Sequence, residues 1–248
     1  MIDLDSNEER QQQEKLLSEL RDISNRYNKK RLKTYKRPAL VYELDTSSDP
    51  TSTISQGNNA KHFLQKYDED ENLNQYWYSI ETISILCNVI LEAIHSMSNK
   101  RVAFLSTPSL YFAMPKECRT QSCMLFDFDE KWGNDSGYVF YDYNHPTMFL
   151  NKDGNKCSNL EASFDMVVID PPFITYQVWQ KYAETARYLL RNKQGLILAT
   201  TVGENHSFLN EMLSLEPINS FQPVIPNLVY QYTVFTNFDS VLLNASTS

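Results

Sequence analysis

Asp170, Pro171, Pro172 and Phe173 are the four residues of this chain whose types and spacing point most directly to chemistry. A proline ring fixes its own φ and leaves no N–H to donate. The residue before a proline is pushed toward extended geometry. Asp170 and Pro171 each precede a proline, so the four residues form a stiff corner. It presents a carboxylate, an outward-facing carbonyl on Pro171 and the aromatic face of Phe173. Two acceptors can hold an amino group by its N–H bonds and aim its lone pair. The ring can stack on a flat base or attract a cationic amine. The corner offers no nucleophile, no metal-ligand set and no phosphate cradle, so transfer of a group to nitrogen is the chemistry it suits. Asp-Pro pairs also open ordinary turns. The preceding run Met166-Val-Val-Ile169 favours the chemical reading, because it is apolar and β-branched, as a buried parallel strand should be. In open α/β sheets, ligands bind where such strands end.

The elements that must position this corner read as alternating helices and strands. Residues 81–95 carry Ile83, Leu86, Cys87, Ile90 and Ile94 on one helical face. Strands are expected at 102–106, 124–128, 137–143, 166–169 and 195–200. Helices are expected from Pro108, where proline is tolerated at the first turn, and over 174–191 and 204–215. Residues 228–236 alternate in strand fashion. The pattern predicts a doubly wound, mostly parallel α/β sheet, with an antiparallel edge strand formed by the last strand pair. Ahead of it, residues 8–27 read as an amphipathic helix. A basic cluster runs from Lys29 to Arg37, either a solvated helix end or a nucleic-acid or nuclear-targeting patch. The stretch 46–60 is rich in Ser, Thr, Asn and Asp and reads as a flexible linker. The expected layout is therefore a helical, basic arm over 1–45, a linker over 46–60 and a catalytic domain over 61–248.

Composition excludes several classes. The 248 residues suffice for one sizeable α/β domain with an appendage. No run of 18 apolar residues suggests a membrane span, and the polar, charged first nineteen residues do not read as a signal peptide. Cys87, Cys118, Cys123 and Cys157 lack metal-binding spacing, and the four histidines form no ligand pair, so no metal is expected. A reducing compartment follows. Residues 1–60 hold ten basic and ten acidic side chains. Residues 61–248 hold 13 basic and 21 acidic ones, which carry the whole net charge of −8. Such a domain repels phosphate backbones and attracts basic protein surfaces.

The turn after the first strand, Ser106-Thr-Pro-Ser109, lacks the glycines of a dinucleotide site, which argues against NAD and FAD. Backbone N–H groups around Thr107, Pro108 and Ser109 can instead meet a carboxylate. Asp127 or Asp129, at the end of the second strand, can grip ribose hydroxyls; ordinary turn chemistry is the alternative. Asp142 and Tyr143 can frame an adenine, or be a solvated acid beside a packed tyrosine.

Asp170-Pro-Pro-Phe173 resembles the [DN]-P-P-[FYW] motif of amino-methyltransferases that use S-adenosylmethionine. Four further blocks are Gln75-Tyr-Trp-Tyr-Ser79, Ser106-Thr-Pro-Ser-Leu-Tyr111, Phe126-Asp-Phe-Asp129, and Phe140-Tyr-Asp-Tyr-Asn144 with Pro146. In order and spacing they are similar to those of the elongation factor 1-alpha lysine methyltransferases, formerly labelled adenine-specific DNA methyltransferases. The resemblance covers residues 74–238. It implies a Rossmann-like, class I methyltransferase fold, S-adenosyl-L-methionine as cofactor, and a protein substrate, elongation factor 1-alpha, met in the cytoplasm. It implies that Asp170, Pro171, Pro172 and Phe173 hold the target amine. Thr107, Pro108, Ser109, Asp127, Asp129, Asp142 and Tyr143 would hold the cofactor. Gln75, Tyr76, Trp77, Tyr78 and Ser79 would close over the substrate. The first sixty residues depart from the short N-terminal helix expected of the family. Two alternatives stand beside this reading: methylation of an adenine amine in nucleic acid, and a non-catalytic subunit on the same fold.

Overall fold

The computed structural model describes residues 50–244 apart from 96, 98, 99 and 193. The chain divides into two units, Met1–Ser47 and Ser48–Ser248, and every described residue belongs to the second. The helix expected over 8–27, the basic cluster and residues 46–49 lie outside the described residues.

The first described element corrects the sequence reading. Residues 50–60, expected as linker, belong to the helix α1, Pro50–Lys66. Its Ser-, Thr- and Asn-rich sequence has poor intrinsic helix propensity, so the local signal points to a loop. Packing decides otherwise: Ala60 and Phe63 are buried, Asn59 Nδ2 donates to the Ala113 carbonyl at 3.3 Å, and α1 lies against the next two helices. These are α2, Ile80–His95, and α3, Pro108–Ala113, both placed as the sequence predicts. A short helix that the sequence does not announce follows, α4, Lys116–Ser122, none of whose residues is fully buried.

Five strands form the parallel centre: β1 (Val102–Leu105), β2 (Cys123–Asp127), β3 (Tyr138–Tyr141), β5 (Met166–Ile169) and β6 (Leu196–Val202). Each matches an expected strand within a few residues. A two-residue strand, β4 (Phe149–Leu150), turns back antiparallel onto β3 and is too short to show in the sequence. Beyond β5 comes α5, Tyr176–Leu189. Beyond β6, a 3-10 turn leads into α6, His206–Leu213. The chain then forms β7 (Glu216–Ile218) and β8 (Tyr232–Thr236), and ends its described part in α7, Val241–Asn244.

The sheet runs in the order β4-β3-β2-β1-β5-β6-β8-β7. The antiparallel finish is present, with one refinement: β8 lies inside the sheet, antiparallel to both β6 and β7, and β7 is the outer strand. The chain doubles back, and the last strand in sequence inserts beside β6. Period-two alternation of side chains divides the core between the two faces. Val102, Phe104, Met166 and Val168 pack toward α1, α2 and α3. Ala103, Leu105, Val167 and Ile169 pack toward α5 and α6. Helices on both faces of a mainly parallel sheet make the doubly wound architecture.

If α1 is an integral part of this core, Phe63→Ala should lower stability by about 3–5 kcal/mol. Lys61→Ala, on the exposed side of the same helix, should change it by less than about 0.5 kcal/mol. Urea unfolding followed by circular dichroism measures both; equal effects would mean that the helix is not docked.

Candidate active site

The chain leaves β1 for β2 and β3 on one side of the sheet and returns to β5 on the other. This reversal is the switch point at which open α/β sheets bind ligands. Three loops meet there. The Asp170 N–H donates to the Leu105 carbonyl at 3.2 Å, and the Ser106 N–H donates to the Phe126 carbonyl at 2.9 Å. The corner after β5, the turn after β1 and the loop after β2 are thereby laced edge to edge.

Asp170 sits half-buried at the tip of β5. The Tyr78 hydroxyl donates to its Oδ2 at 2.5 Å and lies 2.6 Å from the Thr200 hydroxyl. Burial pushes the Asp170 carboxyl up to about 7, while hydrogen bonds from Tyr78 and Thr200 hold it lower than burial alone would. The Tyr78 phenol is pushed well above its ordinary range, first by burial and then by the Asp170 charge, so it remains a donor. Asn74, in the left-handed region at φ 53°, donates its side-chain amide to the Pro172 carbonyl. Asparagine is among the few residues that tolerate this conformation. With Pro172 engaged, the other acceptors of the corner are Asp170 and the Pro171 carbonyl. The Pro171 ring is buried; Pro172 and Phe173 are half-buried. Phe173 meets Tyr143 edge-on, with ring centroids 6.5 Å apart. The structure thus brings together two aromatic residues that the sequence assigned to different subsites.

After β1, Ser106 itself takes a left-handed conformation at φ 54°, where a glycine would be expected. That strain costs on the order of 1–3 kcal/mol. Its hydroxyl lies 2.6 Å from that of Tyr182. Thr107, Pro108 and Ser109 are buried, and Thr107 Oγ1 makes no hydrogen bond. The acids are more committed than their sequence suggests. Asp127 is 4% exposed, accepts the Asp129 N–H at 2.8 Å, and is pushed up to about 7 chiefly by burial. Asp129 accepts from the Lys131 N–H at 3.0 Å and pairs with Lys131 Nζ at 2.8 Å. Asp142 accepts the Asn144 N–H at 2.9 Å and faces His145 at 3.1 Å. All three acids close turns in the ordinary way, whatever else they contact.

The block 75–79 spans the site. Gln75 Nε2 donates to Asp129 Oδ2 at 3.1 Å, and Gln75 Oε1 accepts from Lys131 Nζ at 2.8 Å. The buried Trp77 donates its backbone N–H to Glu69 at 2.8 Å and its indole N–H to the Tyr67 carbonyl at 3.0 Å. Tyr78 is buried against Asp170. The Ser79 N–H donates to the Val224 carbonyl at 2.8 Å. Tyr76 is half-buried against the core. The block therefore reaches from the loop after β2 to the corner after β5 as a tied-down wall. The sequence marks Ser106 only as part of the glycine-free turn and gives no site role to Asn74, Tyr182 or Thr200. Asn74 and Ser106 matter through backbone conformation, and Thr200 and Tyr182 through partners far along the chain.

Residues 69–240 match the family model described as "Probable N6-adenine methyltransferase". The chain is 28% identical over 191 residues to the EEF1A lysine methyltransferase 1 of Homo sapiens, which covers 76% of this chain and 84% of that protein. It is 30% identical over 210 residues to the protein-lysine N-methyltransferase EFM5 of Saccharomyces cerevisiae, covering 77% and 81%. It is 31% identical over 180 residues to the EEF1A lysine methyltransferase 1 of Danio rerio, covering 69% of this chain and all of that protein.

The raised Asp170 carboxyl has a consequence for stability. Above its ordinary value of 3.8 and up to about 7, the folded protein binds a proton that the unfolded chain has lost. The stability linked to this group is thus present at acid pH and lost as pH rises through about 7. Asp170→Asn should raise Tm at pH 8, by an amount on the order of 1–3 kcal/mol in stability, and the gain should shrink toward pH 5. Thermal unfolding at the two pH values checks this; a gain equal at both would rule out the titration.

Proposed function

We propose, from the premise that this chain belongs to the family described as probable N6-adenine methyltransferase, that it is an S-adenosylmethionine-dependent protein-lysine N-methyltransferase acting on elongation factor 1-alpha. The observation that carries the reading is the Asp170 carboxylate, fixed at the switch point by Tyr78 and Thr200 next to Pro171. The surrounding groups suit the cofactor. Thr107 Oγ1 is buried without a hydrogen bond at the turn after β1, where Thr107, Pro108 and Ser109 would hold the amino-acid end. Asp127 and Asp129 shape the loop that would meet the ribose, and Asp142 and Tyr143 would flank the adenine. When bound, S-adenosylmethionine supplies a sulfonium methyl group open to displacement by an amine.

The chain's own residues prepare that amine. Asp170 and the Pro171 carbonyl accept its N–H bonds and fix the direction of its lone pair, and Phe173 packs against the methylene stem. Positioning of this kind contributes up to about 7–11 kcal/mol. A lysine must also lose a proton, which costs about 4–5 kcal/mol at pH 7. An aspartate raised to about 7 is a far better match for that proton than an ordinary one. Asp170 therefore orients the amine and can also receive its proton, a role that the sequence alone did not assign to it.

An adenine amine could use the same acceptors. The lysine reading is favoured by relatives named as protein-lysine methyltransferases and by the net charge of −8, which suits a basic protein better than a phosphate backbone. A substrate of the translation machinery would be met in the cytoplasm. Among the described residues, no helix is long and apolar enough to cross a membrane.

Labelled cofactor should mark purified elongation factor 1-alpha on lysine, and the label in a cell lysate should be lost to protease and survive nuclease. Label confined to nuclease-sensitive material would overturn the lysine reading. Asp170→Ala should abolish transfer while calorimetry still detects cofactor binding; transfer at the normal rate would displace Asp170 from the site. For the intact enzyme, kcat/KM should fall more steeply below about pH 7, as Asp170 gains a proton. Tyr78→Phe removes a hydrogen bond that lowers this value, so the inflection should move to higher pH. An unmoved inflection would assign it to another group.

A further inference from the structure

A cavity of about 480 Å³ opens between α1, the end of α3, α4 and the loop after β2. None of the residues assigned to methyl transfer lines it. Four of the 13 Lys and Arg residues in 61–248 do: Lys66, Lys116, Arg119 and Lys131. That concentration is unexpected in a domain whose balance is acidic.

The charge of the wall is not cancelled from within. Asp135, its single carboxylate, is already committed. It accepts the Tyr111 hydroxyl at 2.5 Å and the Gly137 N–H at 2.9 Å, and stands 3.8 Å from Arg119 Nε. Lys131 is paired with Asp129. Among the described residues, Lys66 and Lys116 have no carboxylate within ion-pair distance. The Nε of Arg119 is buried without a hydrogen bond.

The same wall is aromatic. Tyr67 and Phe112 are half-buried, with ring centroids 5.9 Å apart. Phe63 stacks behind Phe112 at 5.8 Å, and Trp132 lies 4.9 Å from Tyr67. Lys66 Nζ lies 4.9 Å from the Tyr67 ring and the Arg119 guanidinium 5.3 Å from the Phe112 ring, so cations and half-buried rings share one wall, a pairing that matches an anion attached to a flat aromatic group. The volume lies within the range of small-molecule sites, about 300–1,000 Å³, which favours a small ligand over a peptide segment.

We propose that this cavity binds a nucleoside phosphate, its phosphates at Lys66, Lys116 and Arg119 and its base against Tyr67 and Phe112. The site is separate from methyl transfer and does not depend on that assignment.

Calorimetric titration of the full chain tests it. The probes are ADP, GDP, adenosine and inorganic phosphate, added with S-adenosylhomocysteine at saturation to fill the donor site. At least one diphosphate should bind saturably and at least tenfold tighter than adenosine or inorganic phosphate. The double variant Lys66→Glu/Lys116→Glu, at two exposed positions, should weaken that binding at least tenfold and leave Tm unchanged. Phe112→Leu should weaken the nucleotide and spare inorganic phosphate. The proposal is overturned by no saturable binding, by binding that the lysine variant leaves unchanged, by binding that S-adenosylhomocysteine abolishes, or by inorganic phosphate matching the nucleotides.

Discussion

Desolvation of one carboxylate governs this molecule. Asp170 is half-buried at the end of β5, its carboxylate partly withdrawn from water and compensated by hydroxyls from Tyr78 and Thr200. Leaving it unpartnered there would cost several kcal/mol. The fold answers with donors from two other parts of the chain, the block before α2 and strand β6. Those donors hold the carboxylate in place and partly offset the burial that pushes its pKa up to about 7. A chemical asset and a structural liability are the same atom group.

The sheet exists in the form this requires. Parallel pairing of β1 with β2 and β5 in matching register brings Leu105, Phe126 and Ile169 level. Their successors, Ser106, Asp127 and Asp170, are carried to one edge. Helices on both faces bury the strands completely, so the edge is the place where polar groups can emerge. Tyrosine hydroxyls recur there as partners: Tyr78 with Asp170, Tyr182 with Ser106, and Tyr138 with the Asp127 carbonyl at 3.2 Å. Each buries an apolar ring in the core and delivers one polar atom to the rim.

Sequence carries the parts of this that are local. An apolar run declares β1, an apolar β-branched one declares β5, periodicity declares α2 and α5, and Pro108 marks the start of α3. The Asp-Pro-Pro-Phe corner is legible because proline stiffness is a property of adjacent residues. Helix α1 is not legible, since its polar composition points to a loop and only the docking of Ala60 and Phe63 makes it helical. β4 and β7 are too short for period-two alternation to register. Within the site, residue types could be assigned but commitments could not. Asp127, Asp129 and Asp142 stand where a cofactor would want acids, yet each closes a turn. The partnership of Tyr78 with Thr200 joins positions 122 residues apart, and no local pattern announces it. Glycine's usual place after β1 is taken by Ser106 in a left-handed conformation, which composition cannot reveal.

Gln75 and Tyr78 are three positions apart, yet one grips Asp129 and the other Asp170. Backbone extends by at most about 3.6 Å per residue, so the two anchors are held within one short span. That span links the acids beyond β2 to the proline corner beyond β5. The loop after β2 and the corner after β5 are thus yoked through one short segment of chain.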